Sequence, residues 1–243
     1  MADQIIILRS SSYERQMTQI ENYVLKHMVT AKFAGRHLEF LPCSAMAALA
    51  TVGNIGAVVE QDPELLKRYF PSHSVNFFTN RIAKEAKRMF IVAAAERLGM
   101  DFLRILMREH LTADEYLPLP HGFRIRDENN VFWDDKGLDG FLEAQRMVCA
   151  PVFNAWKCDQ NAAFADALPI VEAKKMESED EEIWQVRFHK DHLFGFPEGQ
   201  IWEKKWFILK MFEDLEEARK DSRWEKKMFG FTCEDTYYLV GLR

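Results

Sequence analysis

Residues 168–193, LPIVEAKKMESEDEEIWQVRFHKDHL, have a different pattern of residues from the part that precedes them in this chain of 243 residues. LPIVEAKKM and EIWQVRFHKDHL are typical of β-strands, and the acidic stretch ESEDE separates them as a turn. KKWFILKMF, at 204–212, and DTYYLVGLR, at 235–243, predict two further strands. The composition of the intervening EDLEEARKDSRWEKKMF predicts a helix. The segment after residue 167 is therefore expected to form a small sheet with one helix.

The segment before this change predicts helices throughout. SSYERQMTQIENYVLKHMVT carries apolar residues at helical spacing after Ser12, a suitable N-cap. A helix of small residues is expected after Pro42 and is expected to stop near Gly53. NRIAKEAKRMFIVAAAERLGM, which begins at Asn80, predicts one long amphipathic helix. We therefore predict an α+β protein, with an all-helical domain at 1–165 packed against a small sheet domain at 167–243.

Bulk properties exclude several classes of protein. A content of 48% hydrophobic and 13% aromatic residues suits a folded core, and the net charge of -6 argues against a nucleic-acid binder. No apolar run reaches the roughly 18 residues that span a bilayer, and the N-terminus has no signal-peptide core, so a cytoplasmic protein is expected. The four cysteines are scattered without metal-binding spacing, and disulfides are not expected in that compartment.

Two charged residues near the C-terminus suggest a nucleotide site. Lys210 lies near the end of the third predicted strand, and Glu225 follows fifteen positions later on the predicted helix. A strand lysine and a helix glutamate of this kind form the pair that positions nucleotide phosphates in protein kinases. Glu217, nearer the start of the helix, is a second candidate partner for the lysine.

Several stretches of the chain are similar to kinase-like proteins of filamentous fungi. The helical half resembles the region that precedes the kinase domain in that group; the matching stretches are EFLPCSAMAAL, AKRMFIVAAAERLG, FLRILMREHLTADEYLPL and FLEAQRMVCAPVF. ALPIVEAKKM, EIWQVRFHKDHLF, WFILKMF and DTYYLVGLR resemble successive strands of a kinase N-lobe. The resemblance implies an antiparallel sheet like that of the N-lobe, in which WFILKMF carries the phosphate-binding lysine.

The sequence lacks most of what phosphoryl transfer needs. No glycine lies between the first two predicted strands, where residues 177–182 place five carboxylates. Two like charges about 4 Å apart repel by roughly 1 kcal/mol in water and by about 4 kcal/mol at an effective dielectric near 20. No H-R-D or D-F-G element occurs, and the chain ends at Arg243, where a kinase hinge would begin. We therefore expect no catalytic residues, no cofactor and no phosphoryl transfer by the kinase route.

Tryptophans and histidines supply the remaining candidate sites. Some of the tryptophans near the C-terminus are expected to fill the core, but Trp202, Trp206 and Trp224 are candidates for a protein-binding patch, since tryptophan is enriched at binding hot spots. His189 and His192 could hold a metal ion on a turn. A solvated strand end is the preferred interpretation, because no cysteine or further histidine lies nearby in the sequence.

These patterns favour a non-enzymatic interaction protein over an enzyme. The expected molecule is a helical domain joined to a truncated, degenerate kinase lobe, a pseudokinase, which binds a protein partner and could act as a decoy or regulator of a full-length relative. The resemblance further implies a self/non-self or virulence factor of a fungus. The alternative is a half-kinase that binds ATP weakly at Lys210 and Glu225 and is completed in trans by a partner's C-lobe.

Overall fold

The computed structural model of the chain describes residues 13–60, 75–98, 103, 114–120, 122–124, 135–154, 168–176, 182–195, 206–211 and 236–239. Over these residues the fold is mixed α+β, as the sequence predicts. The chain divides into two compact units: unit 1 is Met1–Met28 with Cys43–Cys149, and unit 2 is Val29–Pro42 with Ala150–Arg243. The domain boundary predicted from the sequence, at 165–167, lies outside the described residues and stays a prediction.

The described residues of unit 1 form six helices, one of which is buried along most of its length. The helices are α1 (Tyr13–His27), α2 (Cys43–Leu49), α3 (Val52–Val59), α4 (Val75–Glu85), α5 (Lys87–Ala95) and α6 (Asp135–Ala144). All residues of α5 from Met89 to Ala94 are fully buried, and α1, α2, α4 and α6 contact this helix. The predicted first helix is confirmed, with Met17, Ile20 and Val24 of its apolar stripe in the core.

The helix predicted after Pro42 is present as α2, but it ends at Leu49, a few residues before the predicted stop near Gly53, and a new helix begins just before that glycine. Thr51 is the N-cap of α3, and its side chain accepts a hydrogen bond from the backbone N–H of Asn54. A threonine at this position satisfies one of the N–H groups that have no partner at the start of a helix. Gly53 therefore lies in the first turn of α3.

No helix in the described parts of the chain is both long enough and apolar enough to cross a membrane.

The single long helix predicted from Asn80 is in fact two helices, which meet at Ala86. Ala86 has no side chain that could cap α5, and Asp114 takes that role from a separate segment. The Asp114 Oδ1 atom accepts hydrogen bonds from the backbone N–H groups of Arg88, at 2.9 Å, and Met89, at 3.3 Å. These are N–H groups of the first helical turn, so a residue distant in sequence sets where α5 begins.

A second buried polar side chain fixes a loop of unit 1. Gln145 is 2% exposed and bonds both backbone groups of Leu119: its Oε1 accepts from the N–H at 2.7 Å, and its Nε2 donates to the carbonyl at 3.0 Å. The same Nε2 donates to the carbonyl of Leu142 at 3.1 Å. The amide thus satisfies loop backbone that burial would otherwise leave without partners.

The all-helical prediction for residues 1–165 is wrong at 29–40. β1 (Val29–Phe33) and β2 (Arg36–Phe40) form an antiparallel hairpin that belongs to unit 2. The turn residues Ala34 and Gly35 have φ of 48° and 75°, the positive values that a two-residue type I′ turn requires. Alternate residues, Leu38 among them, are buried, so the hairpin presents one face to the core of unit 2.

The four strands predicted after residue 167 are all present. β4 (Ile170–Lys175), β5 (Glu182–Phe188), β7 (Phe207–Met211) and β8 (Thr236–Leu239) form one sheet in that order, and β3 (Phe153–Asn154) pairs with β6 (Leu193–Phe194). β5 is antiparallel to β4 and β7, but β8 runs parallel to β7. The expectation of an antiparallel sheet is wrong for this last pair. Parallel strands need a long crossover connection, and residues 212–235 are long enough to supply one.

Phe188 lies at the centre of the core of unit 2. Its ring centroid is 4.5 Å from that of Phe153 and 5.3 Å from that of Phe207. The buried cluster around it joins the hairpin, the short β3 strand and the sheet; its members are Phe33, Leu38, Phe153, Leu168, Ile170, Val186, Phe188, Phe207 and Leu209. Phenylalanine rings and aliphatic side chains on one face of the sheet therefore form the core of unit 2.

Candidate functional site

A bulge in β4 decides which residues lie on the second face of the sheet. Ile170 of β4 pairs with Phe188 of β5. Glu172 comes two residues after Ile170 but pairs with Arg187, which comes only one residue before Phe188. In a regular strand Ile170 and Glu172 would share a face. The extra residue, Val171, places Glu172 on the face opposite Ile170, beside Arg187. An ion pair between these two side chains forms there.

We call the face opposite the core the outer face; its cluster consists of Glu172, Lys174, Arg187 and Trp206. Glu172 pairs with both cations, through Oε1 to Lys174 Nζ at 3.7 Å and through Oε2 to the Arg187 guanidinium. Both cations also lie over the Trp206 ring, with Lys174 Nζ at 4.5 Å and Arg187 Cζ at 5.2 Å from its centroid. One carboxylate and one indole ring therefore hold two like charges together.

The outer-face cluster is open to solvent on its lysine side. The Lys174 side chain is 61% exposed, Glu172 is 36% exposed and Arg187 is 31% exposed, while Trp206 is half-buried. Arg187 Nε is buried and has no hydrogen-bond acceptor among the described residues. A ligand that arrives from solvent could reach only the terminal nitrogens of this guanidinium, because Nε is buried.

The structure separates the roles of two tryptophans. Trp184 packs against the core of unit 2, with its ring centroid 4.9 Å from that of Phe33. Trp206, a predicted protein-binding residue, lies half-buried on the outer face. The other two predicted protein-binding residues, Trp202 and Trp224, lie outside the described residues.

Lys210, the predicted phosphate-binding lysine, lies in β7. The register pairs it with Ile183, and the next residue, Met211, pairs with Glu182. Position 210 is therefore at the end of the sheet next to Glu182, the last of the five carboxylates in residues 177–182. Glu225 and Glu217 lie outside the described residues, so the predicted lysine–glutamate pair stays a prediction.

His192 is not the solvated strand end that the sequence favours. It is fully buried, its Nδ1 donates to the carbonyl of Pro151 at 3.0 Å, and its ring meets the ring of Phe40 edge-on at 5.3 Å. His189 Nδ1 accepts a hydrogen bond from the backbone N–H of Asp191 at 3.3 Å. The two histidines fix the turn after β5. Within the described ranges, no cluster of three histidine, cysteine or acidic side chains could hold a metal ion.

Cys149 does not have the properties of a nucleophile. It is buried after the turn that follows α6. Burial raises the pKa of its thiol to about 11; Arg88 acts in the opposite direction and Asp114 adds to the rise. The thiol is therefore protonated at neutral pH, and the reactive thiolate is scarce.

No protein-family model, curated protein or solved structure matches the chain. The resemblance to fungal kinase-like proteins accordingly stays a prediction. Lys174 and Arg187 were not predicted as site residues, although the alternation in WQVRF places Gln185 and Arg187 on one face of a strand. Glu172 could not be assigned to that face from alternation, because the bulge at Val171 reverses its expected side.

Proposed function

We propose that the chain is a non-catalytic protein-interaction protein whose binding surface is the outer face of the unit 2 sheet. The cluster around Trp206 is the observation that supports this proposal. Tryptophan and arginine are the residue types most enriched at binding hot spots. Here Trp206 and Arg187 are already in contact on an accessible face, so little side-chain ordering is left for the binding event.

The position of Lys210 supports binding of a protein over binding of a nucleotide. Its register partner, Ile183, directly follows Glu182, the last residue of the acidic run. Residues 177–182, which carry five carboxylates, directly precede Ile183 in the sequence, and each close pair of a carboxylate with a phosphate oxygen costs about 1 to 4 kcal/mol. A decoy or regulatory role toward a kinase-like relative, and a self/non-self or virulence role in a fungus, remain proposals that the resemblance suggests.

Affinity capture from a lysate of the source organism tests the interaction surface. The full chain and the Trp206→Ala variant are compared, and we expect a specific partner to be retained by the first and lost by the second. Phe194→Ala is the matched control, because Phe194 is a 65% exposed aromatic residue of the same unit that lies outside the cluster. Loss of the partner in both variants, or in neither, contradicts the proposal.

The half-kinase alternative is tested on the same protein with Mg-ATP. A ligand present at 100 times its dissociation constant stabilises a protein by about 2.7 kcal/mol, which raises the melting temperature measurably. We expect no shift at millimolar ATP. A shift that disappears in Lys210→Ala, together with phosphate transfer by the purified chain, would replace the interaction protein with the half-kinase.

A further inference from the structure

We propose that Ala86 is a hinge between two states of residues 75–95: Asp114 holds the observed break, and its withdrawal lets α4 and α5 join into one continuous helix. The hinge lies in unit 1, so it is independent of the binding surface proposed for unit 2. Helix breaks have identifiable causes, such as proline, glycine and serine residues or a side chain that inserts between backbone partners. Residues 75–95 contain no glycine, proline or serine, and the Asp114 carboxylate is the inserted group.

The backbone at the break differs from a continuous helix at a single residue. Ala86 has φ of -138° and ψ of 35°, whereas the residues on both sides of it are helical. Its N–H donates to the carbonyl of Ile82, and its carbonyl accepts from the N–H of Phe90, each at 2.9 Å. Alanine has the highest helix propensity of all residues, so the local sequence favours a helical conformation at this position.

Asp114 satisfies the N–H groups that the break leaves without helical partners. In a continuous helix, the N–H groups of Lys87, Arg88 and Met89 would donate to the carbonyls four residues before them. In the structure, Asp114 Oδ1 accepts from Arg88 at 2.9 Å and from Met89 at 3.3 Å. The same carboxylate interacts with the N–H of Lys87. These donors therefore have two alternative sets of acceptors, and the position of Asp114 decides between them.

A buried hydroxyl weakens the contact that the continuous helix would have to open. α4 packs against α3, and a Cβ atom at Gly56 of α3 would lie 3.6 Å from Thr79 Cγ2. Thr79 is 2% exposed, and its Oγ1 atom is buried with no hydrogen-bond partner among the described residues. Such a hydroxyl destabilises the packed state, and movement of α4 away from α3 would return it to water.

The hinge couples the position of one segment to the shape of another. Hinges absorb a large change of backbone angles at a few residues. A partner that binds the segment carrying Asp114 and withdraws its carboxylate would favour the continuous helix, to the extent that its affinities for the two states differ. In that state α4 would extend along the axis of α5.

Carbon-13 labelling of alanine tests the hinge on the full-length protein, since a Cα chemical shift reports whether the backbone of its residue is helical. We expect a non-helical shift for Ala86 in the original protein and a helical shift in Asp114→Ala, because the competing acceptor is gone. Asp114→Asn keeps a neutral acceptor, which bonds less strongly than a carboxylate, and should show part of the change. Ala83 is the matched control: it lies inside α4 and is helical in both states, so its shift should stay constant.

Hydrogen exchange of backbone amides is the second readout. In Asp114→Ala, the amides of Lys87, Arg88 and Met89 should exchange no faster than in the original protein, because helical bonds replace those to Asp114. If Asp114 is only a cap, these amides lose their acceptor and exchange about tenfold faster or more. That acceleration, or a non-helical Ala86 in Asp114→Ala, would overturn the proposal. If Asp114→Ala does not fold, an unchanged Ala86 shift in folded Asp114→Asn would overturn it.

Discussion

Each of the two units of the molecule is stabilised in a different way. In unit 1, α5 buries six consecutive residues, and buried polar side chains such as Asp114 and Gln145 fix the surrounding backbone through hydrogen bonds. In unit 2, a sheet buries aromatic rings on one face only, and its other face carries the charged cluster around Trp206. A helix buried on all sides offers no surface for a partner, whereas a half-buried sheet does. The candidate binding surface therefore lies in the sheet.

The same difference affects how each unit tolerates change. Polar bonds to backbone are few and specific, so loss of one side chain leaves several groups without partners. Aromatic packing spreads the stabilisation over many contacts, but a large deletion at its centre leaves a cavity.

The largest effect is expected from Phe188→Ala in the core of unit 2. The phenylalanine is 1% exposed and contacts two other rings, and substitutions of this kind cost about 3 to 5 kcal/mol of unfolding free energy. Chemical denaturation followed by tryptophan fluorescence measures the loss, since five of the six tryptophans belong to unit 2. Phe194→Ala, at a 65% exposed site, should change stability by no more than about 0.5 kcal/mol. Similar losses from both substitutions would contradict this description of the core.

A smaller loss is expected from Asp114→Ala in unit 1. The alanine removes the acceptor for two backbone N–H groups of α5, at a cost of about 2 kcal/mol. Asp114→Asn keeps a side-chain oxygen in the same place and should lose less than about 1 kcal/mol. Denaturation followed by far-ultraviolet circular dichroism compares the two variants. If Asn and Ala are equally harmful, the oxygen is not acting as the cap.

The ionisation of Asp114 gives this comparison a pH dependence. Burial raises the pKa of Asp114, although hydrogen bonds from the backbone of Arg88 and Met89 lower it in part. The folded protein therefore holds this proton to a higher pH than the unfolded chain does. The stability it contributes is complete below the unfolded pKa and is lost as the pH rises through the folded pKa.

Asp114→Asn lacks this titration, so it isolates the effect. The unfolding free energy of the original protein, relative to Asp114→Asn, should be most favourable in acid and should decline toward neutral pH. Denaturation of both proteins across that range measures the difference, in which the contributions of other carboxyl groups cancel. If the difference instead grows in favour of the original protein as the pH rises, the hydrogen bonds lower the pKa of Asp114 by more than burial raises it.

The smallest effect is a gain, at the tip of the hairpin. Ala34 has a φ of 48°, a conformation that costs most residues about 1 kcal/mol and that asparagine adopts more readily. Ala34→Asn, which creates the Asn-Gly pair typical of this turn, should raise the unfolding free energy by about 0.5 to 1 kcal/mol. Ala34→Val should lower it, because a β-branched residue is strained at positive φ. Thermal denaturation ranks the three proteins, and the opposite order would exclude a type I′ turn.

Periodicity predicted the elements whose own residues show a clear alternation or helical spacing. All four strands after residue 167 and the first helix are present, because alternation and helical spacing report burial directly. The hairpin at 29–40 was missed although VTAKF and RHLEF alternate, since Ala-Gly is a weaker turn signal than Asn-Gly. The break at Ala86 gave no local signal, because its cause is Asp114, more than twenty residues away.

The candidate site was only partly predictable for a similar reason. Trp206 was identified by residue type alone, but its neighbours Lys174 and Arg187 depend on which strands pair and in which register. A single sequence does not show whether a charged side chain is surrounded by solvent or packs on an indole ring. Lys210 is placed on the predicted strand, but its predicted partner lies outside the described residues.

The bulge at Val171 also shows where the length of β4 can vary. Deletion of that one residue would make Ile170 and Glu172 neighbours, which a regular strand places on opposite faces, so both side chains would keep their present faces and partners. Deletion of a residue from the regular part of β4 would instead move the side chains on one side of the deletion to the other face. Shorter variants of β4 should therefore lose Val171 and keep the residues that follow it.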